Sequence, residues 1–77
     1  AQELRGHGGP VRALAIAQDG RIALSGSFDT SAILWDIERG LAMAVLRGHE
    51  SSVNAVLALS DGRFVTAGED GRILLWR

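Results

Sequence analysis

The sequence predicts an all-β chain made of two tandem copies of one strand-rich unit, and three observations lead there. The first is an internal repeat: Leu4-Arg5-Gly6-His7 returns as Leu46-Arg47-Gly48-His49, displaced by 42 positions. Val11 and Ala13 return as Val53 and Ala55, Asp19-Gly20-Arg21 as Asp61-Gly62-Arg63, and Gly26 as Gly68. A fixed period of this length is the mark of a repeat architecture. Beyond that glycine the second copy is read as one residue shorter, so Asp29 pairs with Asp70 and Trp35 with Trp76. The second observation is that the apolar runs are too short for helices and are bounded by turn residues. The third is the Asp-Gly pair between apolar runs in each copy, a strong hairpin signal.

Each element follows in order. Gly6 to Pro10 is a loop rich in glycine, which tolerates unusual dihedrals. Residues 11–17 form the first strand. Its alanines favour helix, but the Asp19-Gly20 turn that follows outweighs them. Strands are then expected over 22–25, 32–35 and 42–46, with Glu38-Arg39-Gly40 turning the chain between the last two. The second copy repeats strands over 53–59, 64–67 and 73–76, with turns at Asp61-Gly62 and Asp70-Gly71. Val53, Ala55, Leu57 and Leu59 make one apolar face of a strand, and Val56 and Ala58 make the other apolar as well. A strand buried on one side alternates with polar residues, so both faces here expect neighbours.

Composition bounds the rest. A chain of 77 residues is at most one small domain with a limited core, yet 47% of it is apolar. No apolar run nears the roughly 20 residues that cross a membrane. The start lacks a basic, apolar, small-residue signal segment. The formal charge is -1, and all 8 basic residues are scattered arginines. A nucleic-acid stripe needs clustered positive charge. With no cysteine there is no disulfide, thiolate metal site or haem-attachment motif. The compartment stays open, since periplasmic and cytosolic proteins can both lack cysteine.

The ordered set Gly-His, Asp-Gly, small residue plus Gly, Asp, then Trp resembles the WD40 repeat over essentially the whole chain. That resemblance implies four-stranded antiparallel blades arranged radially as a β-propeller. It makes residues 1–5 an outer strand of an adjoining blade, 6–47 the first blade, and 48–77 a second blade of three strands lacking its own outer strand. Two blades cannot curl into a ring, since such rings hold about four to eight. The spare strand therefore pairs with the open edge at Trp76 of another copy, or the ring is completed within a longer chain. The polar end caps that repeat proteins use for solubility are missing.

The resemblance also assigns roles. It implies a buried chain of hydrogen bonds from Trp35 Nε1 to Ser25, from Ser25 to His7 and from His7 to Asp29. In the second copy His49, Asp70 and Trp76 hold the matching places. Ala67 stands where Ser25 stands, so that chain is expected to be interrupted, with Thr66 pointing to the opposite face and Trp76 Nε1 bonding water or a backbone oxygen. Arg77 replaces the usual Asp. Partners of such propellers dock on the face bearing the Gly-His loops and tight Asp turns. The matching positions are Pro10, Arg12 and Phe28, then Ser52, Asn54 and Glu69. Phe28 is an exposed anchor for a contact or packing over the blade edge, and Arg12 is a solvated charge or a partner for Glu69.

Other chemistries have less behind them. His7, Ser25 and Asp29 are also the ingredients of a hydrolase triad, without a Gly-x-Ser-x-Gly elbow. His7 and His49 are a poor metal set by themselves, and Gly6-x-Gly8 precedes a strand rather than a helix, which disfavours a dinucleotide loop. No metal or cofactor is implied. The expected role is a non-enzymatic scaffold for a protein or peptide partner, without nucleic acid or membrane, with a purely structural or engineered propeller fragment as the alternative. More narrowly, residues 6–15 and 25–32 resemble WD40 segments of bacterial exported proteins, some fused to a c-type cytochrome domain, which implies a periplasmic setting.

Overall fold

The computed structural model describes residues 3–77. Its seven strands are β1 (Val11–Ile16), β2 (Ile22–Ser27), β3 (Ser31–Asp36), β4 (Leu41–Arg47), β5 (Val53–Ala58), β6 (Phe64–Gly68) and β7 (Ile73–Trp76). They form a four-stranded sheet, β1-β2-β3-β4, and a three-stranded sheet, β5-β6-β7, antiparallel throughout. There is no helix among the described residues. The fold is the expected all-β pair of partial blades. Ladder pairing with β2 and β3 overrides the helix propensity of the alanines in β1 and β4.

The β1–β2 and β5–β6 hairpins are each set by an Asp-Gly turn. Gly20 and Gly62 adopt φ of 73° and 89°, open to glycine and strained for other residues. The Asp19 and Asp61 carboxylates accept the N–H of Arg21 and Arg63 at 2.9 and 3.2 Å. A bulge recurs at the start of β1 and of β5, between Val11 and Ala13 and between Val53 and Ala55.

The register shows which faces meet. In the first sheet Ser25 lies opposite Leu14 and Ile33, and Ala23 opposite Ile16 and Trp35, which defines one face. Leu24 and Gly26, opposite Ala15 and Ala13 on β1 and Leu34 and Ala32 on β3, define the other. β5 packs against β1 and β2. A Cβ added to Gly26 would stand 2.7 Å from Val53 Cγ1 and 3.1 Å from Val56 Cγ1. The Val56 face of the second sheet, which also carries Thr66, is thus seated on the Leu24–Gly26 face of the first. Burial follows. Along β1, Ala13 and Ala15 are half-buried while Leu14 and Ile16 are exposed; along β5 it is Val56 and Ala58 that are half-buried and Leu57 that is exposed. Both strands are apolar on both sides, and in this chain one face of each is covered.

One expectation about the repeat is corrected. Gly26 lies opposite Ala13, whereas Gly68 lies opposite Val53, the counterpart of Val11, whose own partner is Ser27. The missing residue of the second copy therefore sits in the β5–β6 hairpin, before the glycine. There Leu59 N bonds Arg63 O, while Ala17 N reaches one residue further on, to Ile22 O. Thr66 thus matches Ser25, Ala67 matches Gly26, and Gly68 matches Ser27.

The strand expected over 1–5 forms no ladder in residues 3–5; residues 1 and 2 lie outside the described residues. Glu3 and Arg5 pair with each other at 2.9 Å on the exposed segment.

Thr30 has φ of 79°, where its counterpart Gly71 has 80°. A β-branched residue is strained in this region. Thr30→Gly is expected to stabilise the chain by about 1 kcal/mol, the relief of left-handed strain exceeding the extra freedom of glycine in the unfolded chain. Urea denaturation reads this directly, and an unchanged or lower midpoint contradicts it.

Candidate functional site

Both repeats place a His, a hydroxyl, an Asp and a Trp in one continuous hydrogen-bond chain. In the first blade Ser25, on β2, accepts the Trp35 Nε1–H at 2.7 Å and stands 2.6 Å from His7 Nε2. His7 Nδ1 lies 3.0 Å from Asp29 Oδ2, which also accepts the Gly8 N–H at 2.8 Å. The other oxygen of Asp29 accepts the backbone N–H and hydroxyl of Ser31 at 2.8 and 2.7 Å. The carboxylate only accepts, so Nδ1 donates to it, and Nε2 accepts the Ser25 hydroxyl. Every donor in the chain then has a taker.

The second blade holds the same chain, contrary to the expected interruption. Thr66 Oγ1 accepts the Trp76 Nε1–H at 2.9 Å and stands 2.7 Å from His49 Nε2. His49 Nδ1 lies 3.1 and 3.2 Å from the two oxygens of Asp70. The shift of the missing residue into the hairpin turns Thr66 inward and leaves Ala67 on the other face. Facing the first blade, His49 is buried at 8% exposure. No buried side-chain nitrogen or oxygen among the described residues lacks a partner, as low-dielectric interiors require.

These bonds shift the carboxylates. Burial pushes the Asp29 carboxyl up, but the Ser31 hydroxyl, the N–H groups of Ser31 and Gly8, and His7 together hold it well below the usual carboxylate range. The Glu50 N–H is the chief influence on Asp70. Burial opposes it, the Arg72 N–H and His49 reinforce it, and Asp70 is held down to about 2. A folded pKa below the unfolded one, about 3.9, contributes stability present above the unfolded value and lost as pH falls through the folded one. The melting temperature is therefore expected to fall steeply between pH 4 and about 2. Asp70→Asn flattens that profile; an equally steep fall in the variant contradicts the assignment.

Ser25, His7 and Asp29 stand at triad distances, but the serine is 4% exposed and its oxygen already accepts the Trp35 N–H. Among the described residues, no group of three or more His, Cys, Asp or Glu is placed to hold a metal ion.

At the end of the sheets bearing the Gly-His loops lie the positions expected to meet a partner. Phe28 is 55% exposed, and the Arg12 guanidinium sits 5.9 Å from its ring centroid. Arg12 thus stacks on Phe28, and no ion pair joins it to Glu69 among the described residues. The Pro10 carbonyl accepts the Phe28 N–H at 3.0 Å and the Ser27 hydroxyl at 2.9 Å, pinning the turn under the ring. In the second blade Ser52 is buried and donates its hydroxyl to Asn54 Oδ1 at 2.7 Å, while its carbonyl accepts the Glu69 N–H at 2.9 Å. Asn54 and Glu69 are exposed. Ser52 therefore shapes this surface from beneath, and Asn54 and Glu69 present it. A cleft of about 420 Å³ lies at the opposite end, between the two Asp-Gly hairpins, lined by Ala17, Ile22, Leu59 and Phe64 among others.

Comparison with known proteins agrees with this geometry. The family described as WD domain, G-beta repeat matches residues 1–36 and 40–77. The chain is 40% identical over 72 residues to the methylosome protein WDR77 of Xenopus laevis, covering 91% of this chain and 22% of that protein. It is 40% identical over 76 residues to telomerase protein component 1 of Rattus norvegicus, covering 97% of this chain and 3% of that one. Against F-box/WD repeat-containing protein 10 of Mus musculus it is 39% identical over 54 residues, 70% of this chain and 5% of that protein. The chain thus spans between 3% and 22% of the length of these curated relatives.

Proposed function

The chain belongs to the WD domain, G-beta repeat (WD40) family, and from that premise we propose that it is a non-enzymatic scaffold that binds a protein or peptide at the Gly-His end of its blades. The observation behind this reading is Phe28: a large aromatic left more than half exposed on a turn pinned by Pro10 and Ser27, with Arg12 stacked on it. Aromatic and arginine side chains are enriched among the residues that dominate interface energies, and a pre-ordered pair loses little entropy on binding. Asn54 and Glu69 extend the surface to the second blade. The networks of His7 and His49 hold the loops beneath it.

The same reading makes the two blades part of a ring completed by further copies or by further blades of a longer chain. Residues 3–5 supply a strand to a neighbouring blade. Its support is the unpaired edge of β7 and the exposed apolar faces, which an isolated sheet rarely leaves open.

Peptides selected from a random displayed library on the immobilised chain test the docking surface. Phe28→Ala and Arg12→Ala are expected to weaken the selected binders by about tenfold or more each, the scale of an interface hot spot, with the circular dichroism unchanged. Binders indifferent to both substitutions contradict the assignment.

A further inference from the structure

The joint between the blades is closed at one end and open at the other. Toward the Gly-His loops, Val53 and Val56 stand against Gly26. Toward the Asp-Gly hairpins the same two faces continue through Ile22 on the first blade and Phe64 on the second. Ile22 alternates with Leu24 along β2, and Phe64 lies opposite Ala58. The chain beside them carries only short side chains there, Ala17 and Ala58. Methyl groups do not fill the gap, and the cleft of about 420 Å³ is what remains. A smaller hollow of about 200 Å³ adjoins it, sharing Asp19 and Ile22 and reaching Met43 on β4. Ile22 thus lies midway along a groove that runs from Phe64 out to Met43. The walls of its larger part are hairpins internal to the chain.

The charges around the groove do not cancel. Glu38 holds Arg21 at 3.3 Å, Asp36 holds Arg39 at 3.8 Å and Asp61 holds Arg63 at 2.6 Å. Asp19 matches Asp61 in the repeat, yet it has no cationic partner among the described residues. The arginine that matches Arg63 has turned to Glu38 instead. One oxygen of Asp19 accepts the Arg21 N–H at 2.9 Å, which leaves the other for a ligand beside an apolar floor. Specific ligand sites commonly take this form, a concave apolar surface with a few placed polar groups.

We propose that this groove binds a peptide segment of a second protein, with a bulky apolar side chain seated between Ile22 and Phe64 and an adjacent lysine or arginine paired with Asp19. The larger hollow takes the apolar side chain. The smaller one takes the residue beyond the cation, against Met43, so the occupant is an extended segment rather than one compact molecule. The groove has one unpaired carboxylate and calls for one cation. It lies at the end of the blades opposite Phe28 and stands independently of the docking surface there. With both ends occupied, one scaffold joins two proteins.

A nuclear magnetic resonance titration of the chain with N-acetyl-phenylalanyl-lysine amide tests this. The largest shifts are expected at the methyls of Ile22 and Leu59, with the ring signals of Phe28 unmoved. Replacing the lysine of the probe by glutamine is expected to weaken binding about two- to fivefold at low ionic strength, the scale of one exposed ion pair. Asp19→Asn keeps the oxygen that caps the turn, and Asn-Gly is itself a favoured hairpin pair. The variant is therefore expected to keep the β circular dichroism and to bind the lysine and glutamine probes equally. Asp61→Asn, whose carboxylate is already paired, is expected to leave the preference for lysine intact. The comparison of the two probes on the unaltered chain needs no variant to fold. No shift at Ile22 and Leu59, shifts centred on Phe28, equal affinity of the two probes for the unaltered chain, or the same loss of preference in both variants would each overturn the proposal.

Discussion

Replacing Thr66 with valine is expected to destabilise the chain by about 2–3 kcal/mol, the cost of leaving two buried or half-buried polar partners without a bond. Valine keeps the shape of the side chain and removes only the oxygen. That oxygen accepts the Trp76 N–H at 2.9 Å and stands 2.7 Å from His49 Nε2. Thr66 is fully buried, so water does not replace the lost group at His49, although the half-exposed Trp76 recovers part of its bond. Ser25→Ala repeats the loss in the first blade, orphaning His7 Nε2 and the Trp35 N–H. Equilibrium urea denaturation measures both. A change below about 0.5 kcal/mol, the range of ordinary surface substitutions, contradicts the network. Ser25→Ala also separates structure from catalysis. Lost stability with no lost hydrolysis is the expected result, and loss of a measurable esterase activity with stability intact would favour a triad.

Gly26→Ala is expected to cost about 1–3 kcal/mol, as overpacking of a closed interior does. The added Cβ would stand 2.7 Å from Val53 Cγ1 and 3.2 Å from Val53 Cβ. Val53 is fully buried, so it has little room to retreat, and the blades must separate. The same substitution in isolated sheets would be almost neutral, since alanine suits a strand better than glycine does. A double-mutant cycle with Val56→Ala is expected to show coupling, because the smaller side chain relieves part of the clash. Additive effects would mean that the two residues do not touch.

Strands and turns were legible because their signals are local. Asp-Gly turns, short apolar runs and the repeat itself located all seven strands to within two residues at either end. The pairing of the second copy misled at one point. Gly26 and Gly68 invited alignment by identity, which left Ala67 against Ser25 and broke the second network. A better signal was present: Ser25 and Thr66 each stand ten residues before the tryptophan that they bond. Counting back from Trp35 and Trp76 puts the missing residue in the hairpin, where turns absorb length changes at little cost. The stacking of Arg12 on Phe28 and the burial of Ser52 depend on rotamers and neighbours that no local pattern encodes. Which of two apolar faces each blade buries was equally hidden, because both sides of β1 and β5 read alike.

The central claim is that the His49-bearing face of the second blade is seated on the Gly26 face of the first. Nuclear Overhauser contacts from the Gly26 α-protons test it most directly. Strong cross-peaks to the methyls of Val53 and Val56 are the expected result. Cross-peaks from Gly26 to Leu57 or Ile73 instead, or to water alone, would mean that the blades meet by other faces or do not meet.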